Sequence, residues 1–459
     1  MIFRHIHILL AVLILFSIKS SGAATTNSVV WDTKSNSVTA DVRGIALWPL
    51  LEDIAHQTGW HIFVEPGLEQ HKTDVKFSDL QRGEALKKLL GDLNFAFVPQ
   101  STGPDFLYIF TSSMRAATRP VATDPNSGKK VPAKHVPNEL ILKVKPGTDI
   151  DALAKSLGAK VVGRDDALGL YRLKFDDEAA TEAALGQLKN NSSVEAVDYN
   201  YYYDAPLKPQ PAANAPANQT KLTLDDTSPN DPCHPIVAVI DTQVQSLGSD
   251  LDKFVMKPVY VADNPSPPEG VTHGTAMVSA AIDALGQSSG GHTAVKILPV
   301  VVYDSGEQTT TWYVARGVQA AVNNGATVLN MSLGGSSDSP ILDDIIQQAL
   351  AKGVVIFAAA GNQPVTTPTY PAAIPGVTAV TALSAPGQLA SYANYGSFVS
   401  MALPGANVVR EGNQAYVMQG TSTATAYASG VAAGTKGVNC DSWTQIENAM
   451  QQKFPVPKK

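Results

Sequence analysis

Three residues whose side chains could serve as nucleophile, base and orienting acid stand at the ends of short apolar segments: Ser422, His273 and Asp241. Asp241 closes the apolar run from Ile236 to Ile240, which reads as a strand buried on both faces of a parallel sheet. A carboxylate there emerges at the carboxyl edge, where open α/β sheets bind ligands. His273 precedes a small-residue, apolar stretch running to Leu285 that reads as a helix, so its imidazole would project from a helix start into the same crevice. Its ordinary pKa of about 6.5 suits a general base near neutrality. Ser422 stands before a run rich in Ala and Gly that can pack as a buried helix, and a serine hydroxyl becomes a useful nucleophile only beside a base. Asn362, at the end of the apolar strand from Val354 to Ala360, could offer its amide to an oxyanion. Each residue alone has an ordinary reading as a turn or cap. The signal is their conjunction, in order, at strand ends and helix starts.

The elements needed to hold these groups can be read around them. Lys296 to Tyr303 reads as a strand, and Val314, Val318, Ala321 and Val322 recur at helical spacing up to Gly325. Ala326 to Met331 is again a strand, Ile341, Leu342, Ile345, Ile346, Ala349 and Leu350 form a helical stripe closed by Gly353, and Val354 starts the next strand. This alternation calls for crossover connections and an α/β fold with a doubly wound parallel sheet.

The motifs Ile240-Asp241-Thr242, His273-Gly274-Thr275, Ala360-Gly361-Asn362 and Gly420-Thr421-Ser422, in this order, resemble those of the subtilisin-like serine peptidases, the subtilases. The resemblance implies a subtilisin-like fold and a serine endopeptidase acting on protein or peptide substrates. Ser422 would attack, His273 take its proton, Asp241 hold the imidazole, and Asn362 with the Ser422 N–H stabilise the oxyanion. It further implies that Ser332-Leu333-Gly334 lines the substrate groove. With Ala360 and Gly361 this gives small, apolar walls that would tolerate an apolar side chain in the first pocket. Two positions depart from the family pattern. Gln243 replaces the usual glycine and is expected to hold a strained backbone at a cost of about 1 kcal/mol or more; Ala426-Tyr427 replaces the usual Pro-His. Both leave open an alternative, a weak or inactive subtilase-fold protein that binds an envelope partner.

Two small α+β modules are expected upstream. Residues 138–203 follow a β-α-β-β-α-β order, ferredoxin-like, and resemble the subtilase propeptide, with a cut just after Tyr201-Tyr202-Tyr203. Residues 204–232, rich in Pro, Ala, Asn and Gln, read as a flexible linker. Residues 35–113 carry helices bearing Leu47, Leu50, Leu51, Ile54 and Ala55, then Ala85, Leu86, Leu89 and Leu90, between apolar strands. That order resembles the short N-terminal domain of secretins and TonB-dependent receptors, a protein-contact module, with 114–137 as linker. Residues 1–23 combine Arg4, an apolar core and a small-residue end, as a signal peptide does; the core is shorter than the about 20 residues a spanning helix needs. An exported chain, periplasmic or extracellular, with no membrane span in its mature form, is expected.

The peptidase module is read as 233–456. Its cysteines, Cys233 and Cys440, are the chain's only two, and export would allow them to pair; whether they approach closely enough is open from sequence. Neither has a metal or redox neighbourhood. The net charge of −7 without a long charged run gives nothing for nucleic acid to bind. No cofactor is required by the chemistry, and structural calcium is left unplaced. His234 and His292 read as solvated loop residues.

Overall fold

A computed structural model describes residues 28–457 except 33–36, 66, 69–70, 99–104, 113, 115–116, 118, 122–133, 204–205, 213–220, 226–232, 234, 249, 264, 266–269, 306–307, 385–386 and 412–413. The chain divides into two compact units, Met1–Pro125 and Asn126–Lys459.

In the second unit the apolar runs become a parallel sheet whose strands lie side by side in the order Val259–Tyr260, Lys296–Val301, Ile236–Asp241, Ala326–Met331, Val355–Ala359, Thr378–Ser384 and Met401–Pro404. The chain leaves Ile236–Asp241 for a strand on one side and later returns to its other side, so Asp241 ends the strand at which winding reverses. Crevices form at such a switch point. Both faces are covered, as the lack of polar alternation requires. Val237 and Val239 pack under the helices His273–Ser288 and Thr421–Asn439; Ala238 and Ile240 face Thr311–Asn323 and Pro340–Ala351.

The same unit holds an antiparallel four-stranded sheet in the order Val194–Tyr201, His135–Val144, Leu170–Lys174, Lys160–Asp165, with helices Ile150–Ser156 and Glu178–Leu188. This is the ferredoxin-like order. Leu140, Leu142 and Leu173 pack under those helices, whereas Ile141 and Leu170 point the other way, into the core around Thr311–Asn323 and Pro340–Ala351. Polar contacts fix that docking: Lys143 Nζ to Asp344 at 2.5 Å, Arg316 Nε to Asp165 at 3.1 Å, and the Trp312 N–H donating to Asn200 Oδ1 at 3.2 Å.

The first unit has two sheets, Ser28–Asp32, Ser37–Ala46 and Lys72–Gln81 in one, Asn94–Val98, Phe106–Phe110, His61–Val64 and Arg119–Pro120 in the other, with helices Leu47–Thr58 and Arg82–Leu90. Its extent differs from the expected 35–113. Trp31 stacks edge-on against Trp60 at 4.8 Å, and Val121 is buried in the same core, so residues on both sides of that range belong to it. Likewise His135 already pairs with Tyr201, which shortens the linker expected over 114–137. These additions are short edge strands, which carry little periodicity to read.

Cys233 and Cys440 are bonded, with their Cα atoms 4.8 Å apart and 207 positions between them in sequence. Cys440 caps the Thr421–Asn439 helix in a left-handed conformation, φ 55°. Closing so long a loop removes about 5 kcal/mol of chain entropy from the unfolded state in the loop-closure model. Replacing both cysteines by Ser should therefore lower unfolding free energy by about 2–5 kcal/mol. Denaturant melts of oxidised protein and the double variant measure this, and superimposable melts would rule it out.

Candidate active site

The Asp241 carboxylate is 1% exposed and accepts from the Thr242 N–H at 2.7 Å. His273 is the first residue of its helix, 4% exposed, with Nδ1 at 2.8 and 2.9 Å from the two Asp241 oxygens. Both carboxylate oxygens on one ring nitrogen fix the ring plane and favour the tautomer with its proton on Nδ1, leaving Nε2 as the basic atom. Gly274 follows because its Cα lies against the Thr242 carbonyl, where no Cβ fits, and its N–H donates to Thr242 Oγ1 at 2.8 Å.

A network that the sequence reading missed anchors this helix start. Thr272 is the N-cap, accepting from the Thr275 N–H, and its hydroxyl donates to the Gln243 carbonyl at 2.5 Å. Gln245 Oε1 accepts from the Thr272 N–H at 3.0 Å and from Thr275 Oγ1 at 2.5 Å, while the Gln245 N–H donates back to Thr275 Oγ1 at 2.9 Å. Thr272 ahead of the apolar run, with Thr275 three residues on, was the capping signal in the sequence. The strain expected at Gln243 is absent. Among the described residues left-handed backbone outside glycine occurs at Asp79, Asn138 and Cys440, and Gln243 keeps an ordinary φ. Its carbonyl accepts from the Thr272 hydroxyl. The Ala426-Tyr427 departure is also accommodated: Ala426 is fully buried and the Tyr427 hydroxyl bonds Gln287 Oε1 across to the His273 helix.

Ser422 is the second residue of helix Thr421–Asn439, 7% exposed, where backbone N–H groups lack intrahelical acceptors. Its Oγ donates to the Ser332 carbonyl at 3.1 Å, and Ser332 Oγ returns a bond to the Ser422 carbonyl at 2.9 Å. The Ser422 hydroxyl is thus bonded to the Ser332 carbonyl, and the His273 ring to Asp241. Asn362 Oδ1 accepts from the Thr421 N–H at 2.8 Å and Thr421 Oγ1 at 3.1 Å. With its oxygen held, the side-chain NH2 is the end of Asn362 left to donate.

Of the residues expected to line the groove, Leu333 turns its side chain into the core, and Gly335, next to Gly334, pairs antiparallel with Tyr370. Ala360 is fully buried and its N–H donates to the Val380 carbonyl at 2.9 Å; Gly361 takes φ 106° and donates to Thr421 Oγ1 at 3.1 Å. Tyr202 pairs with Thr310, the Tyr203 N–H donates to the Thr309 carbonyl at 3.1 Å, and both tyrosines lie against Gly335. Leu207 then lies beside Gly420. His292 is exposed but sits on a two-residue strand rather than in a loop, paired with Thr223, its Nδ1 3.4 Å from Asp225; His234 lies outside the described residues. Among the described residues there is no group of three or more His, Cys, Asp or Glu suited to a metal ion.

A buried acid–imidazole couple at a switch point, with a serine on the adjoining helix start, suits acyl transfer, and the class is that of an α/β serine peptidase. Residues 234–454 match the Subtilase family, and residues 122–200 match the fervidolysin N-terminal prodomain. The thermophilic serine proteinase of Bacillus sp. (strain AK1) is 30% identical over 347 residues, 71% of this chain and 85% of that protein. Thermitase of Thermoactinomyces vulgaris is 37% identical over 202 residues, 43% of this chain and 72% of its own length. The crystal structure of fervidolysin from Fervidobacterium pennivorans superimposes with a TM-score of 0.51 at 20% identity, over 70% of this chain and 57% of that one, a likeness of fold. The chain belongs to the subtilase family and is a serine endopeptidase.

Proposed function

We propose that Ser422, His273 and Asp241 are the catalytic triad and that Asn362 with the Ser422 N–H forms the oxyanion hole. The Asp241–His273 geometry carries this reading, since it presents Nε2 as base beside the helix that bears the serine. His273 accepts the Ser422 proton as Oγ attacks the scissile carbonyl, then returns it to the leaving amine; water resolves the acyl-enzyme. A serine-reactive fluorophosphonate should label wild type at Ser422 and leave His273→Ala essentially unlabelled. Equal labelling of the two would remove His273 from the mechanism.

The chain is also its own first substrate. Tyr202 and Tyr203 occupy the cleft between Thr309–Thr310 and Gly335, and Leu207 lies beside Gly420. A cut between Tyr203 and Leu207 fits those two flanks, with 138–203 as propeptide. Residues 210–211 pair with the strand Gln414–Gln419, which would hold the new amino end in place.

Export and an envelope partner complete the reading. The signal-like residues 1–23 lie outside the described residues. The first unit presents Phe63, Phe106 and Tyr108 as near-parallel half-buried rings, 5.3–6.2 Å apart, on one sheet face, which suits a contact module. Fractionation of cells expressing the chain with and without residues 28–121 tests this. Identical distribution in both would leave the module without that role.

A further inference from the structure

We propose that Asn394 is the positioning residue of the oxyanion hole, holding the turn that carries Asn362. The inference rests on the assignment of Asn362 made above. Asn394 lies outside the residues with chemistry of their own, 2% exposed, and each of its polar groups is engaged. Its backbone N–H donates to the Gly361 carbonyl at 2.9 Å, and its side-chain Oδ1 accepts from the Gln363 N–H at 2.8 Å. These two bonds grip the backbone immediately before and immediately after Asn362. Oδ1 also takes a longer bond from the Val365 N–H at 3.4 Å, Nδ2 donates to Thr369 Oγ1 at 3.1 Å, and the Asn394 carbonyl accepts from Thr381 Oγ1 at 2.6 Å. Thr381 is fully buried in the parallel sheet, so the clamp is tied to the rigid scaffold.

The close packing has a second sign. A Cβ on Gly361 would collide with the Asn394 amide, and φ of 106° there already favours glycine. Gly361 is thus the residue that lets the Asn394 side chain lie flat against the turn. Asn362 is then held from two directions. Thr421 fixes the oxygen end of its side chain, and Asn394 fixes its main chain. A donor is worth most to an oxyanion when it need not reorganise, and an error of about 1 Å in placement can cost about 100-fold in rate. The polar contacts of Asn394 are to Gly361, Gln363, Val365, Thr369 and Thr381, none of them a proposed reacting residue, and it acts through Asn362.

A double-mutant cycle on peptide hydrolysis separates positioning from general support. Asn362→Ala should lower kcat by about 100- to 1000-fold, the range measured for this donor in subtilisin itself. Asn394→Ala should lower kcat by about 10- to 100-fold with KM nearly unchanged, because the loss arises in the transition state. In the Asn362→Ala background Asn394→Ala should cost less than about threefold more, since the group it positions is gone. Losses that multiply, or an Asn394→Ala variant with normal kcat, would overturn the proposal. A normal kcat in Asn362→Ala would instead remove the oxyanion assignment beneath it. Should Asn394→Ala fail to fold, Thr369→Val deletes one clamp bond and must show a smaller loss in kcat with the same failure to multiply; independent losses again refute the clamp.

Discussion

Ser422→Ala should leave the purified chain at full length and depress peptide hydrolysis by about 10⁶-fold, a magnitude taken from subtilisin, a member of the same family, and not from the distances above. The argument is one of function as a unit. A base without a nucleophile and a nucleophile without a base are equally idle, so His273→Ala should match Ser422→Ala, and the double variant should lose no more. Asp241→Asn should retain more, with a loss of about 10⁴-fold, because it disturbs the imidazole's tautomer and orientation while leaving base and nucleophile in place. Intact mass gives the complementary reading. Wild type should lose its amino-terminal part between Tyr203 and Leu207, and Ser422→Ala should not. If the serine variant is cut at the same place in purified form, another protease is responsible and the cleft occupied by Tyr202 and Tyr203 is not a route to self-cleavage. If it still hydrolyses peptides, the nucleophile has been wrongly assigned.

Much of this site was legible in the sequence because its chemistry is local to strand ends and helix starts. The run Ile236 to Ile240 reads as a strand covered on both faces, which places Asp241 where the strand stops, and the structure pairs it on both sides. His273 and Ser422 were placed by the same reasoning at the starts of their helices. What escaped depends on contacts between distant segments. Asn394 lies 31 positions from Gln363, whose N–H it accepts, and sits in an irregular stretch with no periodic signal. Gln243, read by analogy with a glycine, keeps ordinary backbone here, with its carbonyl accepting from the Thr272 hydroxyl. The direction of the Ser422 hydroxyl, toward the Ser332 carbonyl, is a choice of one rotor that residue types leave undetermined. The strands Ser28–Asp32 and Arg119–Pro120 were missed because each is a short edge strand, too short for its pattern to stand out.

Gly430→Ala should cripple the enzyme although it adds a single methyl group to a helix. The helices bearing His273 and Ser422 cross with their backbones nearly touching. A Cβ at Gly430 would fall inside the Ala281 carbonyl and at 2.8 Å from the Ala284 Cβ. Helix propensity alone favours the substitution by about 1 kcal/mol. Overpacking opposes it by about 1–3 kcal/mol, and the obstacle here is main chain, which cannot rotate away, so the opposing effect wins. Relief requires the helices to part, and that moves Ser422 relative to His273 directly. A displacement of about 1 Å can cost about 100-fold in rate, so kcat should fall together with Tm. Two comparisons isolate the cause. Gly434 meets first the Ser288 hydroxyl, with the Ser288 Cβ and the Leu285 carbonyl further off, so Gly434→Ala should be milder and partly relieved by Ser288→Ala, whereas no side-chain substitution should relieve Gly430→Ala. Gly186, in the helix Glu178–Leu188 with nothing within 4 Å of a Cβ, should tolerate or gain from alanine. Thermal melts and kcat for the three variants decide the matter: a Gly430→Ala enzyme with normal Tm and turnover would mean that the two helices have room to spare and that glycine is not what sets the spacing of nucleophile and base.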